Sequence, residues 1–160
     1  MVMLIIIVIA LIGFAVGGLA GAPWVPMRQV DAEKVLNDCR LPKGGILIEL
    51  GCGDGRLLKA AAKRNIKAIG YEINPLMWLI AWVINIRYYP KVRVRLGNFW
   101  WSDWRHADAV VTFLVPRSMS RLEQKAKQEL KQGARLLSYV FVLPNKKAVK
   151  KHDRWYVYDY

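Results

Sequence analysis

Two histidines and two cysteines in 160 residues leave the chain poorly supplied with the side chains that hold metals or attack carbonyls. Cys39 and Cys52 have no partner at a ligand-forming spacing, so a zinc or iron–sulfur motif is excluded and no metal is expected. His106 falls in a turn and His152 in a basic tail, neither beside an acid that would make it a general base, and both read as solvated surface residues. Acids are scarce as well, 12 Asp and Glu against 25 Lys and Arg, for a net charge of +13. The chain also lacks G-x-G-x-x-G and G-x-x-x-x-G-K-[ST], which removes the dinucleotide fingerprint and the phosphate loop of NTPases. Charge itself is missing from the first stretch: the first ionisable side chain is Arg28.

What the chain does have is concentrated between Ile46 and Glu72. Ile46-Leu-Ile-Glu-Leu50 reads as a buried strand and ends in Gly51, Gly53 and Gly55, where backbone free of Cβ turns tightly and lets a ligand approach. Arg56 to Arg64 is a run of good helix formers whose N-terminal N–H groups would face that ligand. Glu72 ends the next apolar strand at the distance where a doubly wound fold places a ribose-binding acid. The alternation continues as helix 76–88, strand 91–96, strand 108–114, helix 118–131 and strand 134–142. Earlier, Asp31 is placed to cap a helix reaching Cys39; at the end, Trp155 to Tyr158 offers an antiparallel strand with Lys147 to Lys150 as its partner. Repeated strand–helix units of this length predict a Rossmann-like α/β fold: a doubly wound, mostly parallel sheet with helices on both faces and an abbreviated C-terminal hairpin.

Two motifs carry a family resemblance. Glu-Leu-Gly-Cys-Gly-Asp-Gly-Arg (49–56) and Gly-Tyr-Glu-Ile-Asn-Pro (70–75) resemble the first two motifs of the seven-strand S-adenosylmethionine-dependent methyltransferases. Gly97-Asn98-Phe99-Trp100, the Phe113-Leu-Val-Pro116 stretch and Gly133-Ala-Arg-Leu-Leu-Ser138 extend the likeness. Within that class the chain is similar to small protein-lysine methyltransferases of an archaeal type and a membrane-anchored mitochondrial type. The resemblance implies S-adenosyl-L-methionine as cofactor. It implies that Glu49, Gly51, Gly53, Asp54 and Gly55 hold the amino-acid end, that Glu72 takes the ribose hydroxyls, and that Asn98 and Phe99 meet the adenine. Phe99 suits plain core packing equally well. Phe113, Pro116, Tyr139 and Phe141 lie where strands four and five are expected to end, the ligand edge of an open α/β sheet, and are the candidates for an acceptor channel; each also suits the core. Enzymes of the class that act on planar amines often carry Asp/Asn-Pro-Pro-Tyr/Phe after strand four; Phe-Leu-Val-Pro here favours a protein substrate with an accessible lysine.

The uncharged run Val2 to Ala22, at 1.5 Å per residue, would form a helix of roughly 30 Å, the thickness of a bilayer's hydrocarbon core. This predicts a membrane anchor over residues 1–22, a linker over 23–29 and a catalytic domain over 30–160. A secretory signal is the competing reading, supported by Ala20-Gly-Ala22 but opposed by the lack of a basic n-region and by Pro23 at the cleavage point. Every Lys and Arg follows the run, so the positive-inside rule puts the domain on the cytoplasmic side, against an anionic leaflet. Nucleic acid is a less favoured partner for the same charge. Methylation of a lipid amine headgroup, or RNA binding with a vestigial pocket, are the alternative functions. Pro75 to Ile86 is apolar on every face, which fits burial under another helix, a dimer, or Trp78 and Trp82 at a membrane interface.

Overall fold

The computed structural model describes Met1 and residues 27–160. The expected anchor, Val2 to Ala22, lies outside the described residues, among which no helix is long and apolar enough to cross a membrane.

Seven strands form one sheet: β1 (Ile46–Leu50), β2 (Lys67–Glu72), β3 (Val92–Leu96), β4 (Ala109–Thr112), β5 (Arg135–Tyr139), β6 (Lys150–Lys151) and β7 (Trp155–Asp159), in spatial order 3-2-1-4-5-7-6. The first five are parallel, and β7 returns antiparallel to β5 and β6. Strand β1 lies centrally, covered on both faces, which is why it reads as a continuous apolar run rather than an alternating one. The order reverses between β1 and β4, and at such a switch point the strand ends open into a crevice.

Helices α1 (Gln29–Cys39), α2 (Arg56–Lys63) and α3 (Pro75–Asn85) share one core cluster with Leu47, Val111, Leu137 and Val157. Helix α4 (Met119–Glu129) packs on the other cluster, with Ile48, Val110, Leu136 and the fully buried Trp104. The alternation of Leu47 and Ile48 between the two clusters follows from the period of two along a strand.

Several boundaries differ from expectation. Helix α1 starts at Gln29, inside the expected linker, and Asp31 is not its cap: it sits in the first turn, 2% exposed, accepting the Arg28 guanidinium at 3.0 Å and the Tyr139 hydroxyl at 2.7 Å. The helix expected over 76–88 stops at Asn85 and continues as a 3₁₀ turn, Ile86–Tyr88. Strands four and five end at Thr112 and Tyr139, so Phe113 and Phe141 lie just past them. The short β6 begins three residues later than expected, at Lys150. His152 is not a solvated surface group: its ring stacks on Trp155 at 4.3 Å and its Nε2 lies 2.7 Å from Asp38 Oδ2.

Candidate active site

The loop after β1 is built by conformation as much as by composition. Gly51, Gly53 and Gly55 have φ of 76°, 53° and 74°, a region that costs other residues about 1–2 kcal/mol. The N–H groups of Gly51 and Cys52 both donate to the Tyr71 carbonyl at 2.9 Å, tying the loop to the end of β2. The glycines differ in what surrounds them. A Cβ on Gly55 would come within 2.6 Å of Asn85 Nδ2 and 3.0 Å of Ala81 Cβ, whereas one on Gly51 would meet nothing within 4 Å. Gly55 therefore packs helix against loop, and Gly51 faces open space.

Two carboxylates define that space. Glu49 is buried, and its Oε2 has no hydrogen-bond partner in the protein. Burial, joined by repulsion from Asp54 and Glu72, pushes its carboxyl well above the usual range, against a smaller opposing pull from Arg56. Glu72 is held rigidly: Oε2 accepts from Gly53 N and Oε1 from Asn74 N, each at 2.8 Å. Each of its oxygens keeps a second lone pair, so two neighbouring hydroxyls can still be accepted. An unpartnered buried carboxylate, a doubly anchored one nearby and a loop backbone open at Gly51 fit a ligand that presents both a cation and a diol.

Asp54 faces elsewhere. Arg56 Nε sits 3.0 Å from its Oδ1, and the same guanidinium donates through Nη1 to the Met27 carbonyl at 2.8 Å. Asn98 uses Oδ1 to accept Trp100 N at 3.0 Å, capping the 3₁₀ turn Phe99–Trp101 and leaving its NH₂ group for other contacts. Phe99 is half-buried and tilted against Trp100 at 4.8 Å, joined to the α4 core.

Of the four acceptor-channel candidates, three converge. The ring of Phe113 lies edge-on to Tyr139 at 5.4 Å and stacked on Phe141 at 6.4 Å. Between them Val140 adopts φ 74°, rare for a β-branched residue, and this bend turns Phe141 back toward Phe113. Burial, and hydrogen bonding to Asp31, raise the pKa of Tyr139, so its hydroxyl stays protonated and structural. Pro116 stands exposed at the start of the 3₁₀ turn Pro116–Ser118.

Two residues at the site have roles that the motifs do not announce. Asn85 donates through Nδ2 to Gly55 O at 3.1 Å and Ala81 O at 2.9 Å, pinning the glycine loop from α3. Arg56 clamps Asp54 as described. Asn85 does leave a signal, the lone buried amide in an otherwise apolar helix.

The family model for the ANTKMT methyltransferase domain matches residues 49–150, from the buried carboxylate of β1 to the C-terminal hairpin. The chain belongs to this methyltransferase family. It is 35% identical over 129 residues to an ATP synthase lysine N-methyltransferase of Xenopus laevis, covering 77% of this chain and 55% of that protein. Against a protein-lysine N-methyltransferase of Saccharolobus islandicus it is 31% identical over 138 residues, covering 82% of this chain and 86% of the archaeal one. This methyltransferase chain spans about half the length of the curated vertebrate relatives it matches. Its fold is shared with an RNA methyltransferase from Salinibacter ruber solved with S-adenosyl-L-homocysteine, at TM-score 0.79, 22% identity and coverage of 84% and 93% of the two chains.

Proposed function

We propose that this chain transfers a methyl group from S-adenosyl-L-methionine to the ε-amine of lysine side chains in a protein substrate, from a position at a membrane. The observation that carries the cofactor half is the unpartnered buried Oε2 of Glu49 beside the anchored Glu72. The relationship to protein-lysine N-methyltransferases, one of them matched over most of its length, supports the acceptor half.

Glu49 offers its buried oxygen to the cationic amino group of the cofactor, and Glu72 offers one lone pair from each oxygen to the two ribose hydroxyls. Gly51 and Gly53 leave the loop backbone open to the same end, and Asn98 directs its free amide NH₂ toward the adenine, with Phe99 beside it. Asp54 acts through Arg56, fixing the loop rather than touching the ligand. When bound, the cofactor supplies a methyl group already activated on a sulfonium, so the protein's task is alignment and exclusion of water. Phe113, Tyr139 and Phe141 give an apolar wall for the alkyl stem of a lysine, with exposed Pro116 at its outer rim. Desolvation against such a wall lowers the amine's pKa from about 10.4 and supplies the neutral nucleophile.

The uncharged run Val2 to Ala22 supports a single-pass anchor, and the 25 Lys and Arg that all follow it support a domain on the cytoplasmic side of an anionic leaflet. An exposed apolar stripe on α3 gives a second reading, methylation of a lipid amine headgroup, some footing. The deciding experiment incubates the full chain with methyl-labelled cofactor and membranes, then separates protein from lipid. Label in methylated lysines is expected; label confined to the lipid rejects the lysine reading, and no incorporation rejects methyl transfer altogether.

A further inference from the structure

Leu76, Leu79, Trp82, Val83 and Ile86 are between 41% and 57% exposed, while Ala81 and Asn85 on the same helix are buried. At 100° per residue these five fall on one arc, opposite the pair that packs on the sheet. Tyr89, 70% exposed, continues the arc beyond the 3₁₀ turn. A contiguous apolar stripe of this kind marks a surface built to leave water.

Its surroundings identify the partner. From Ile73 to Ser102 the chain holds no Asp or Glu, yet it carries Arg87, Lys91, Arg93 and Arg95, all exposed. Three of these cations lie on or beside β3, the edge strand against which α3 packs. A second copy of the chain would bring the same cations against one another across a two-fold contact. A surface that is apolar at its centre and anionic around it accepts both.

The point where the chain enters the domain agrees. Arg56 Nη1 holds the Met27 carbonyl at the start of α2, in the same helical layer as α3. Residues 23–26 lie between that point and the uncharged run, and four residues reach at most about 14 Å when extended. With the run in a bilayer, this layer of the domain is held at the headgroups.

From these observations we infer that the α3 stripe, flanked by Arg87, Lys91, Arg93 and Arg95, docks on the headgroup region of an anionic lipid surface and fixes how the domain sits on its membrane. The inference rests on the anchor reading, and one measurement separates the two. Full chain carrying a spin label at Leu79→Cys or Val83→Cys, with Gln128→Cys on α4 of the opposite sheet face as control, is reconstituted into vesicles of mixed phosphatidylcholine and phosphatidylserine. The native thiols Cys39 and Cys52 are buried and leave the introduced site as the reactive one. The ratio of oxygen to nickel-chelate accessibility is expected to be several-fold higher at 79 and 83 than at 128. Equal ratios in protein that floats with the vesicles overturn the stripe inference and leave the anchor standing; protein that fails to float removes the anchor. Labels at 79 and 83 that are immobilised and shielded from both reagents, or that broaden one another at high dilution in lipid, place the chain's own N-terminal run or a second copy on the stripe and also overturn it.

Discussion

Replacing Glu49 with glutamine should make the ligand-free protein more stable and the liganded protein harder to form. The carboxyl is buried, one oxygen lacks a partner, and burial with the neighbouring Asp54 and Glu72 raises its pKa. A folded pKa above the unfolded value means that the native state holds the proton more tightly. The associated stability is fully present below the unfolded pKa of about 4.3 and drains away as pH rises through the folded one, at about 1.4 kcal/mol per unit. Glutamine keeps the shape and removes that loss, so Glu49→Gln should exceed the parent by about 1–3 kcal/mol at neutral pH. For a domain of this size that is a rise of roughly 3–10 °C in Tm. The advantage should vanish near pH 4. Binding should move the other way: losing a hydrogen bond from a cation to a carboxylate costs about 1.5–3 kcal/mol, or roughly 10- to 150-fold in Kd. Thermal melts across pH and calorimetry with S-adenosyl-L-homocysteine, which keeps the amino group, test both. A variant that melts below the parent at neutral pH, or binds equally well, refutes the assignment of Glu49 to the cofactor's amine.

Gly55→Ala and Gly51→Ala carry similar backbone strain but different surroundings; the first should lose about 2–4 kcal/mol through the clash with Asn85 and Ala81, the second only about 1–2 kcal/mol. Denaturant unfolding orders them, and Gly51→Ala should nonetheless show the greater loss of cofactor affinity relative to its stability. Glu72→Ala strands the Gly53 and Asn74 N–H groups and should cost about 2–4 kcal/mol of stability along with most cofactor binding, measured by melts and calorimetry on the same sample. Asp38 receives Lys150 Nζ at 2.6 Å, His152 at 2.7 Å and Trp155 Nε1 at 2.9 Å. Burial works to raise its pKa, but hydrogen bonds from Lys150 and Trp155 prevail and lower it. Its contribution is therefore present above about pH 4 and lost as pH falls through the folded pKa. Asp38→Ala should cost about 2–4 kcal/mol at neutral pH, with the gap to the parent closing in acid melts.

The parts of the fold legible in the sequence are those set by local chemistry. Strand β1, the glycine turn and Glu72 follow from an apolar run, positive φ and the geometry of a doubly wound sheet, and the structure brings them together. What escapes is set by contacts far apart in the chain. Asp31 reads as a helix cap because acids favour that place, but Tyr139, 108 residues away, draws it into the core. His152 reads as solvated in its basic neighbourhood, but Asp38 and Trp155 enclose it. Phe113 and Phe141 read as strand residues, and the positive φ of Val140, illegible in a β-branched residue, puts Phe141 beyond its strand. The apolar α3 stands out in the sequence as unusual, though its exposed arc can be told from its buried one only by knowing which side faces the sheet.

The charge distribution joins these pieces. A chain of net charge +13 repels a cationic cofactor at long range, yet at an ionic strength near 0.15 M fields from exposed charges fade over about 8 Å. Inside the crevice the balance is local. Glu49 and Glu72 are buried, so solvent screens them little, and Arg56 is turned away onto Asp54 and the Met27 carbonyl. The clamp thus does two things at once: it withdraws the nearest guanidinium from the cofactor's amine, and it ties the loop that holds the amine to the point where the N-terminal segment enters. Basic charge elsewhere, including the exposed cations along β3, is left free to meet an anionic surface without weakening the site.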